Sequence, residues 1–189
     1  KLGVVPTFAT RWLLPKLQTF NQLYPEITVH LETSTRPFLF NDHILDAAIY
    51  AGTPQQVEQW PGTCSHFLMH EDVVAVCAPS LITHYFPDAT MININSFDLS
   101  AQQLIELPLL QQTTRPHIWE EWFNLHPIKH PNPNYGQRHE LFSMLAVAAN
   151  HGMGMALIPQ MLIKTELKKK ELVMVSTKKK KKKRAYYLI

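Results

Sequence analysis

The chain has 189 residues, of which 46% are hydrophobic and 10% aromatic, a composition typical of a globular protein. No apolar run approaches the length that spans a membrane. Ten of the eighteen Lys and Arg residues lie between Lys168 and Arg184, so the formal net charge of +3 hides a mildly acidic body over residues 1–165. Such a body is a poor surface for the phosphates of nucleic acids.

The first part of the chain alternates predicted strands and helices. A strand at residues 2–5 is followed by an irregular turn at 8–11 and a helix over 12–23, with Pro15 expected in the first turn of that helix. The next predicted elements are a strand over 24–33, a short helix over 38–45, and strands over 46–52, 67–69 and 73–77. Alternation of strand and helix is typical of a doubly wound parallel sheet.

The pattern changes after Pro79 and returns near Pro159. Helices are predicted over 81–86, after Ser100, and over 118–125, 140–150 and 160–167. Strands are predicted over 107–112, 153–159, 171–175 and 185–189. The sequence therefore predicts an α/β protein of two Rossmann-like lobes, residues 1–77 plus 158–189 and residues 78–157, with a hinge and a cleft between them.

The segment "VVPTFATRWLLPKLQTF" (residues 4–20) makes a sharp corner between the first strand and the first helix. A helix that begins directly after a strand points its unbonded N–H groups at whatever lies above the strand end. The corner is therefore either a scaffold joint or part of a small-molecule site.

Several segments occur together in an order seen in one known family. They are "FATRWLLPKLQTFNQLYPEITVHL", "LDAAIYAG", "EDVVAVCAPSL", "PLL", "WEEWF", "MLAVAANHGMGMALIP", "ELVMV" and "YYLI". This ordered set covers essentially the whole chain and resembles the LysR-type transcriptional regulators. The first helix and "WEEWF" are most similar to the subgroup of glycine-cleavage and β-lactamase regulators. The run Lys178–Lys183 departs from the family pattern.

The resemblance implies an effector-binding (substrate-binding) domain whose fold is like that of the type 2 periplasmic binding proteins. It implies a cytoplasmic ligand-sensing domain that binds a small metabolite in the cleft and signals to DNA-binding heads through a homodimer or tetramer. DNA would be contacted only by a helix-turn-helix domain upstream of this chain, and no cofactor, membrane or enzymatic activity is implied. In the implied dimer, the helix over 12–23 pairs with the partner's helix over 140–150.

The resemblance also places candidate ligand-binding residues in the first lobe. Thr7 and Phe8 lie at the corner, where the family holds the effector through a hydroxyl and backbone N–H groups; the alternative role for Thr7 is to cap the turn. Ser34 and Thr35 follow the second strand, and Tyr50 lies near the end of the third. Tyr186, on the last strand, is the remaining candidate in this lobe.

In the second lobe, "QQTTR" follows a strand and precedes a helix. Gln112, Thr113 and Arg115 are therefore expected at a second strand-to-helix corner, like the one at Thr7. His139 and Leu141 are expected to open the long helix and to face the cleft. Histidine at position 139 indicates a polar or pH-sensitive contact, or else only a partly exposed loop residue. Together these groups favour an anionic or hydroxylated ligand.

Other motifs are given structural interpretations. "HPIKHP" is rejected as a metal site because its prolines oppose a helical His pair and a third ligand is missing. Trp119, Trp122 and Phe123 are predicted to be core, and "GMGMALIP" to be a helix C-cap. Cys64 and Cys77 are interpreted as free thiols, and the lysine run as a solvated connection.

Two other functions compete with that of a sensing domain. A solute-binding protein of a transport system shares the fold but needs an export signal. An enzyme acting in the cleft is disfavoured because no nucleophile or metal constellation is present.

Overall fold

A computed structural model describes residues 1–36, 45–58, 60, 62–89, 91–93, 96–125, 129–176 and 184–189. Residues 38–44 of the predicted short helix and the run Lys178–Lys183 lie outside these residues. The elements in chain order are β1 (Leu2–Val4), α1 (Pro6–Phe8), a π-helical turn (Ala9–Leu13), α2 (Leu14–Leu23), β2 (Leu31–Thr33), β3 (Ala47–Gly52), α3 (Pro54–Val57), β4 (His66–His70), β5 (Val73–Cys77), α4 (Pro79–Tyr85), β6 (Met91–Asn93), β7 (Ser96–Phe97), α5 (Ala101–Glu106), β8 (Leu109–Gln112), α6 (Ile118–Phe123), β9 (Gln137–His139), α7 (Phe142–Asn150), β10 (Met155–Pro159), a 3-10 turn (Gln160–Leu162), α8 (Lys164–Lys168), β11 (Val173–Met174) and β12 (Ala185–Leu188).

The chain divides into two compact units, each with its own sheet. Unit 1 comprises Lys1–Glu71 and Lys181–Ile189, and unit 2 comprises Asp72–Lys180. The mixed α/β organisation with two sheets confirms the predicted fold class. The unit boundaries differ from those expected at 77/78 and 157/158. The reason is that β5 and β10 pair with each other inside the sheet of unit 2. On their outer sides, β5 pairs with β11 and β10 pairs with β8.

Within the described residues, the sheet of unit 1 has the order β2–β1–β3–β12–β4. β1 is parallel to both β2 and β3, as the alternating pattern predicted. β12 runs antiparallel to both of its neighbours, β3 and β4. The strand contributed by the last part of the chain therefore lies inside this sheet.

In unit 2 the described strands have the order β6–β7–β11–β5–β10–β8–β9. The core under this sheet includes Trp119, Trp122 and Phe123, which are at most 3% exposed, and this confirms their predicted role. The C-cap prediction is also confirmed. Gly152 has φ 71°, and the N–H groups of Gly152 and Met153 donate to Ala149 and Ala148, the Schellman pattern.

Helix formation begins earlier than the sequence predicted. The turn expected over 8–11 is helical, and the chain is helical from Pro6 to Leu23 through the π-helical turn. In that turn the N–H of Leu14 donates to the carbonyl of Ala9, five residues back. Pro15 directly follows, near the start of α2 as predicted. The wider turn lets the helix pass a proline, which has no N–H to donate.

Two other element boundaries were wrong. The strand predicted over 24–33 is reduced to Leu31–Thr33, and Ile27 is 46% exposed. Its partner β1 has only three residues, so only three can pair. The helix predicted from residue 140 begins at Phe142, because Gln137–His139 forms β9, a strand that pairs with β8.

Candidate functional site

The first candidate set lies where β1 enters the helix. Val5 is the extended residue before the helix, Pro6 occupies its first turn, and the next two residues, Thr7 and Phe8, are buried. Because Pro has no N–H, it costs nothing at a position where helical N–H groups have no acceptor within the helix. The local sequence thus explains both the sharp corner and the inward placement of Thr7.

Ser34 is brought to the same edge of the sheet by strand pairing. Val4 is in register with Thr33, and the N–H of Ser34 donates to the carbonyl of Val4 at 3.3 Å. The hydroxyl of Ser34 bonds locally, since it accepts from the N–H of Arg36 at 3.0 Å and donates to the carbonyl of Arg36 at 3.2 Å. Thr35 lies within this turn and is half-buried. Thr7, Ser34 and Thr35 therefore follow the carboxyl ends of neighbouring parallel strands.

The two tyrosines of the first set lie on different faces of the sheet. Tyr186 pairs with Ala51, while Tyr50 pairs with Tyr187. Directly opposed residues share a face and successive residues alternate, so Tyr50 and Tyr186 point to opposite faces. The ring of Tyr186 stacks on Phe8, and the ring of Tyr50 meets Trp60 edge-on at 4.7 Å between centroids. The structure thus brings Tyr186, but not Tyr50, to the corner.

The second candidate set lies at the ends of β8 and β9. The amide of Gln112 donates to the carbonyl of Glu140 at 2.7 Å, and its oxygen accepts from the hydroxyl of Thr114 at 2.7 Å. The N–H of Thr113 donates to the carbonyl of His139 at 2.9 Å. Gln112, which is 4% exposed, therefore ties the end of β8 to the segment that follows β9.

Arg115 and His139 present polar groups of a different kind. The guanidinium of Arg115 lies 4.9 Å from the ring centroid of Phe142, the first residue of α7. The Nε2 atom of His139 is buried and has no hydrogen-bond partner among the described residues. Leu141, half-buried, is the residue before α7. The sequence placed His139 at a helix start, whereas the structure places it at the end of β9.

A polar pair that the sequence analysis missed lies beside Tyr186. Arg184 forms an ion pair with the buried Glu71 and also contacts Ala51 and Gln56. In the sequence, Arg184 is the end of a lysine run, and the distance of 113 positions from Glu71 carries no local signal.

No helix within the described residues is long and apolar enough to cross a bilayer.

Comparison with known proteins identifies the family. The model of the LysR substrate binding domain matches residues 1–189. The chain is 28% identical over 188 residues to the glycine cleavage system transcriptional activator of Escherichia coli K12, covering 100% of the chain and 57% of the relative. It is 30% identical over 159 residues to the transcriptional activator AmpR of Rhodobacter capsulatus, covering 84% of the chain and 48% of the relative. The chain thus spans about half the length of the curated relatives it matches.

Solved structures agree in fold. The effector domain of AmpR from Pseudomonas aeruginosa has a TM-score of 0.80 and 23% identity to this chain, with 99% of the chain and 82% of that structure covered. The AmpR effector binding domain of Citrobacter freundii has a TM-score of 0.80 and 23% identity, with 99% of the chain and 84% of that structure covered. Because the family model spans the whole chain, this protein belongs to the LysR substrate-binding domain family.

Proposed function

We propose that this chain is the ligand-sensing part of a LysR-type transcriptional regulator and that it binds a small anionic or hydroxylated metabolite. The match of the family model to residues 1–189 carries the proposal. The named relatives are transcriptional regulators, which favours a sensing role over the solute-binding protein and over an enzyme. The sensor would act in the cytoplasm, and DNA would be contacted by a domain outside this chain.

The first proposed contact set is Thr7, Phe8, Ser34, Thr35 and Tyr186 in unit 1. Its support is that the segments after β1 and β2 lie side by side at the carboxyl ends of these strands. The hydrogen bond from Ser34 to Val4 holds them together. First-turn N–H groups of a helix and nearby hydroxyls favour a carboxylate or a hydroxylated ligand. Tyr50 remains a proposed contact, although its ring lies on the other face.

The second proposed contact set is Gln112, Thr113, Arg115, His139 and Leu141 in unit 2. Its support is the buried Nε2 of His139, since buried polar atoms normally have a partner and a ligand group would supply one. The stacking of Arg115 on Phe142 holds a cation at the same strand ends. Within this set, Gln112 is also proposed to hold the other residues in place. Its side-chain NH2 donates to Glu140 and its side-chain oxygen accepts from Thr114.

A thermal-shift screen of small metabolites on the 189-residue chain, followed by calorimetric titration of each hit, tests the function. Thr7→Val keeps the side-chain shape and removes the hydroxyl, and Arg115→Ala removes the cation. Each loss of a charge-assisted hydrogen bond is worth about 1.5–3 kcal/mol, so Kd should rise by roughly ten- to a hundredfold.

Matched controls separate a lost contact from a general effect on folding. Thr83→Val, on an exposed position of α4, and Arg138→Ala, on the exposed edge strand β9, should bind like the parent. If Thr7→Val and Arg115→Ala also bind the effector as tightly as the parent, both contact sets are wrong.

We also propose that the sensor works as a homodimer or tetramer. α2 has no buried residue, and its Leu14 side chain is 48% exposed. On α7, Met144 and Val147 are 47% and 55% exposed. Ala148, on the same helix, is 4% exposed and packs inside unit 2. Exposed apolar strips of this kind usually mark protein contacts.

A further inference from the structure

A buried ion pair fixes Arg184, the residue that directly precedes β12. Nε of Arg184 lies 3.4 Å from Oε2 of Glu71, and the side chain of Glu71 is 1% exposed. The N–H of Glu71 also donates to the carbonyl of Arg184 at 3.0 Å. A carboxylate removed from water needs a charged or hydrogen-bonded partner. Backbone and side chain therefore both join position 184 to the residue that follows β4.

The same guanidinium contacts the strand on the other side of β12. Its Nη2 donates to the carbonyl of Ala51 in β3, and its Nη1 lies 3.4 Å from Oε1 of Gln56. That oxygen also accepts from the N–H of Thr53 in the capping box of α3. Because β12 lies between β3 and β4, Arg184 sets the position of β12 against both neighbours.

The side chains of β12 do not specify its register by themselves. Tyr186 is 1% exposed and faces Phe8, while its neighbour Tyr187 is half-buried on the opposite face. A slip of one residue moves every side chain of a strand to the other face. In β12 such a slip would place Tyr187, instead of Tyr186, opposite Ala51. A bulge or irregularity between Tyr186 and Tyr187 also means that β12 does not keep one register against β4 along its whole length.

We propose that Arg184, anchored by Glu71, is a positioning residue that sets the register of β12 and so selects Tyr186, not Tyr187, for the face that carries Phe8. The ion pair would favour one register of β12 over the other. Buried polar groups are retained for conformational specificity of this kind in some proteins. The consequence for ligand binding rests on the function proposed above, since Phe8 adjoins Thr7. The register itself does not depend on that function.

Fluorine NMR of the chain labelled with 3-fluorotyrosine tests the register directly. Tyr186→Phe and Tyr187→Phe assign the two resonances, and a soluble paramagnetic reagent reports which ring is protected from solvent. The parent should show one set of resonances with Tyr186 protected. Arg184→Met should add a second set in which Tyr187 is protected, at about 10% of the intensity or more. Glu71→Gln should add the same set.

Arg138→Met, which removes an exposed arginine of unit 2, is the control and should keep the single set. A single set in Arg184→Met, with Tyr186 still protected, overturns the proposal. A single set in Glu71→Gln overturns the part assigned to the anchor. If Arg184→Met does not fold, Glu71→Gln decides alone: two sets support the register role and one set refutes it. The measurement uses no ligand, so its failure is distinguishable from failure of the proposed sensing function.

Discussion

The ring of Tyr186 stacks on the ring of Phe8, with centroids 4.4 Å apart and planes inclined by 29°. Phe8 also contacts Trp12, whose ring centroid lies 4.7 Å away. Both stacked rings are at most 1% exposed. The stack joins the corner after β1 to a strand that comes from the other end of the sequence, so the candidate site and the packing of unit 1 share residues.

Truncation of this stack should destabilise the protein strongly. Phe8→Ala is expected to lower the free energy of unfolding by about 3–5 kcal/mol, because it removes a buried ring and leaves a cavity. Urea unfolding measures the change. Tyr135→Ala, at a side chain 81% exposed, is the control and should shift stability by less than about 0.5 kcal/mol. Equal effects of the two substitutions would contradict the buried stack.

Two glycines with positive φ should respond very differently to alanine. Gly136 has φ 136°, and a Cβ there would lie 1.9 Å from the carbonyl oxygen of Leu109, so Gly136→Ala should displace β9 from β8. Gly62 has φ 76° and open space around the Cβ position, so Gly62→Ala should cost only about 1 kcal/mol. Urea unfolding compares the two. A loss at Gly136 no larger than that at Gly62 would show that β9 is not held against β8.

The two thiols should differ in reactivity. Cys64 is exposed, whereas burial raises the pKa of Cys77 to about 12. We expect one thiol to react with a disulfide reagent in the folded protein and two in denaturant. Cys64→Ser should abolish the reaction in the folded state, and rapid labelling of that variant would contradict the burial of Cys77.

The raised pKa of Cys77 also predicts a loss of stability at high pH. Below pH 9.0, the ordinary pKa of the thiol, the group is protonated in both states; between 9.0 and about 12 only the unfolded chain ionises. Unfolding is then favoured by up to about 1.4 kcal/mol per pH unit. Urea unfolding at pH 8 and pH 10 should show a larger loss in the parent than in Cys77→Ala. Equal losses would mean that Cys77 does not ionise on unfolding.

The proposed assembly predicts that one charge on an exposed apolar strip disrupts it. Leu14→Glu and Val147→Glu should each give monomers at tens of micromolar in light scattering, because an unpaired charge is costly at an apolar contact. Tyr85→Glu, at a side chain 41% exposed on α4, is the matched control and should leave the oligomer intact. A parent that is already monomeric, or an oligomer that survives both substitutions, would refute the proposed strips.

Continuous apolar runs made much of the fold predictable from the sequence. The strands β3, β5 and β10 were placed correctly because their residues are buried on both faces, and such strands read as unbroken apolar segments. The packing of Trp119 and Trp122 followed from helical spacing. The change of pattern after Pro79 and its return near Pro159 predicted two lobes, and the described strands form two sheets.

The errors have physical causes that a sequence pattern does not contain. Residues 24–30 alternate as a strand would, but the three residues of β1 pair in register only with Leu31–Thr33. The π-helical turn depends on hydrogen bonds five residues apart, which leave no signature near Pro15. β9 carries Arg and His at a sheet edge, so it lacks an apolar pattern. At the site, the opposite facing of Tyr50 and Tyr186 depends on the register of β12, and that register involves Glu71, which is remote in sequence.

The position of β12 between β3 and β4 also determines the order in which the chain can fold during synthesis. Unit 2 is one continuous stretch, so it can complete its sheet as soon as it has left the ribosome. The strands β3 and β4 are made earlier but must wait for β12, and until then each keeps an unpaired edge. Unpaired edges invite association with other chains. We therefore expect nascent unit 1, rather than nascent unit 2, to be the part of the protein that associates more readily with other chains.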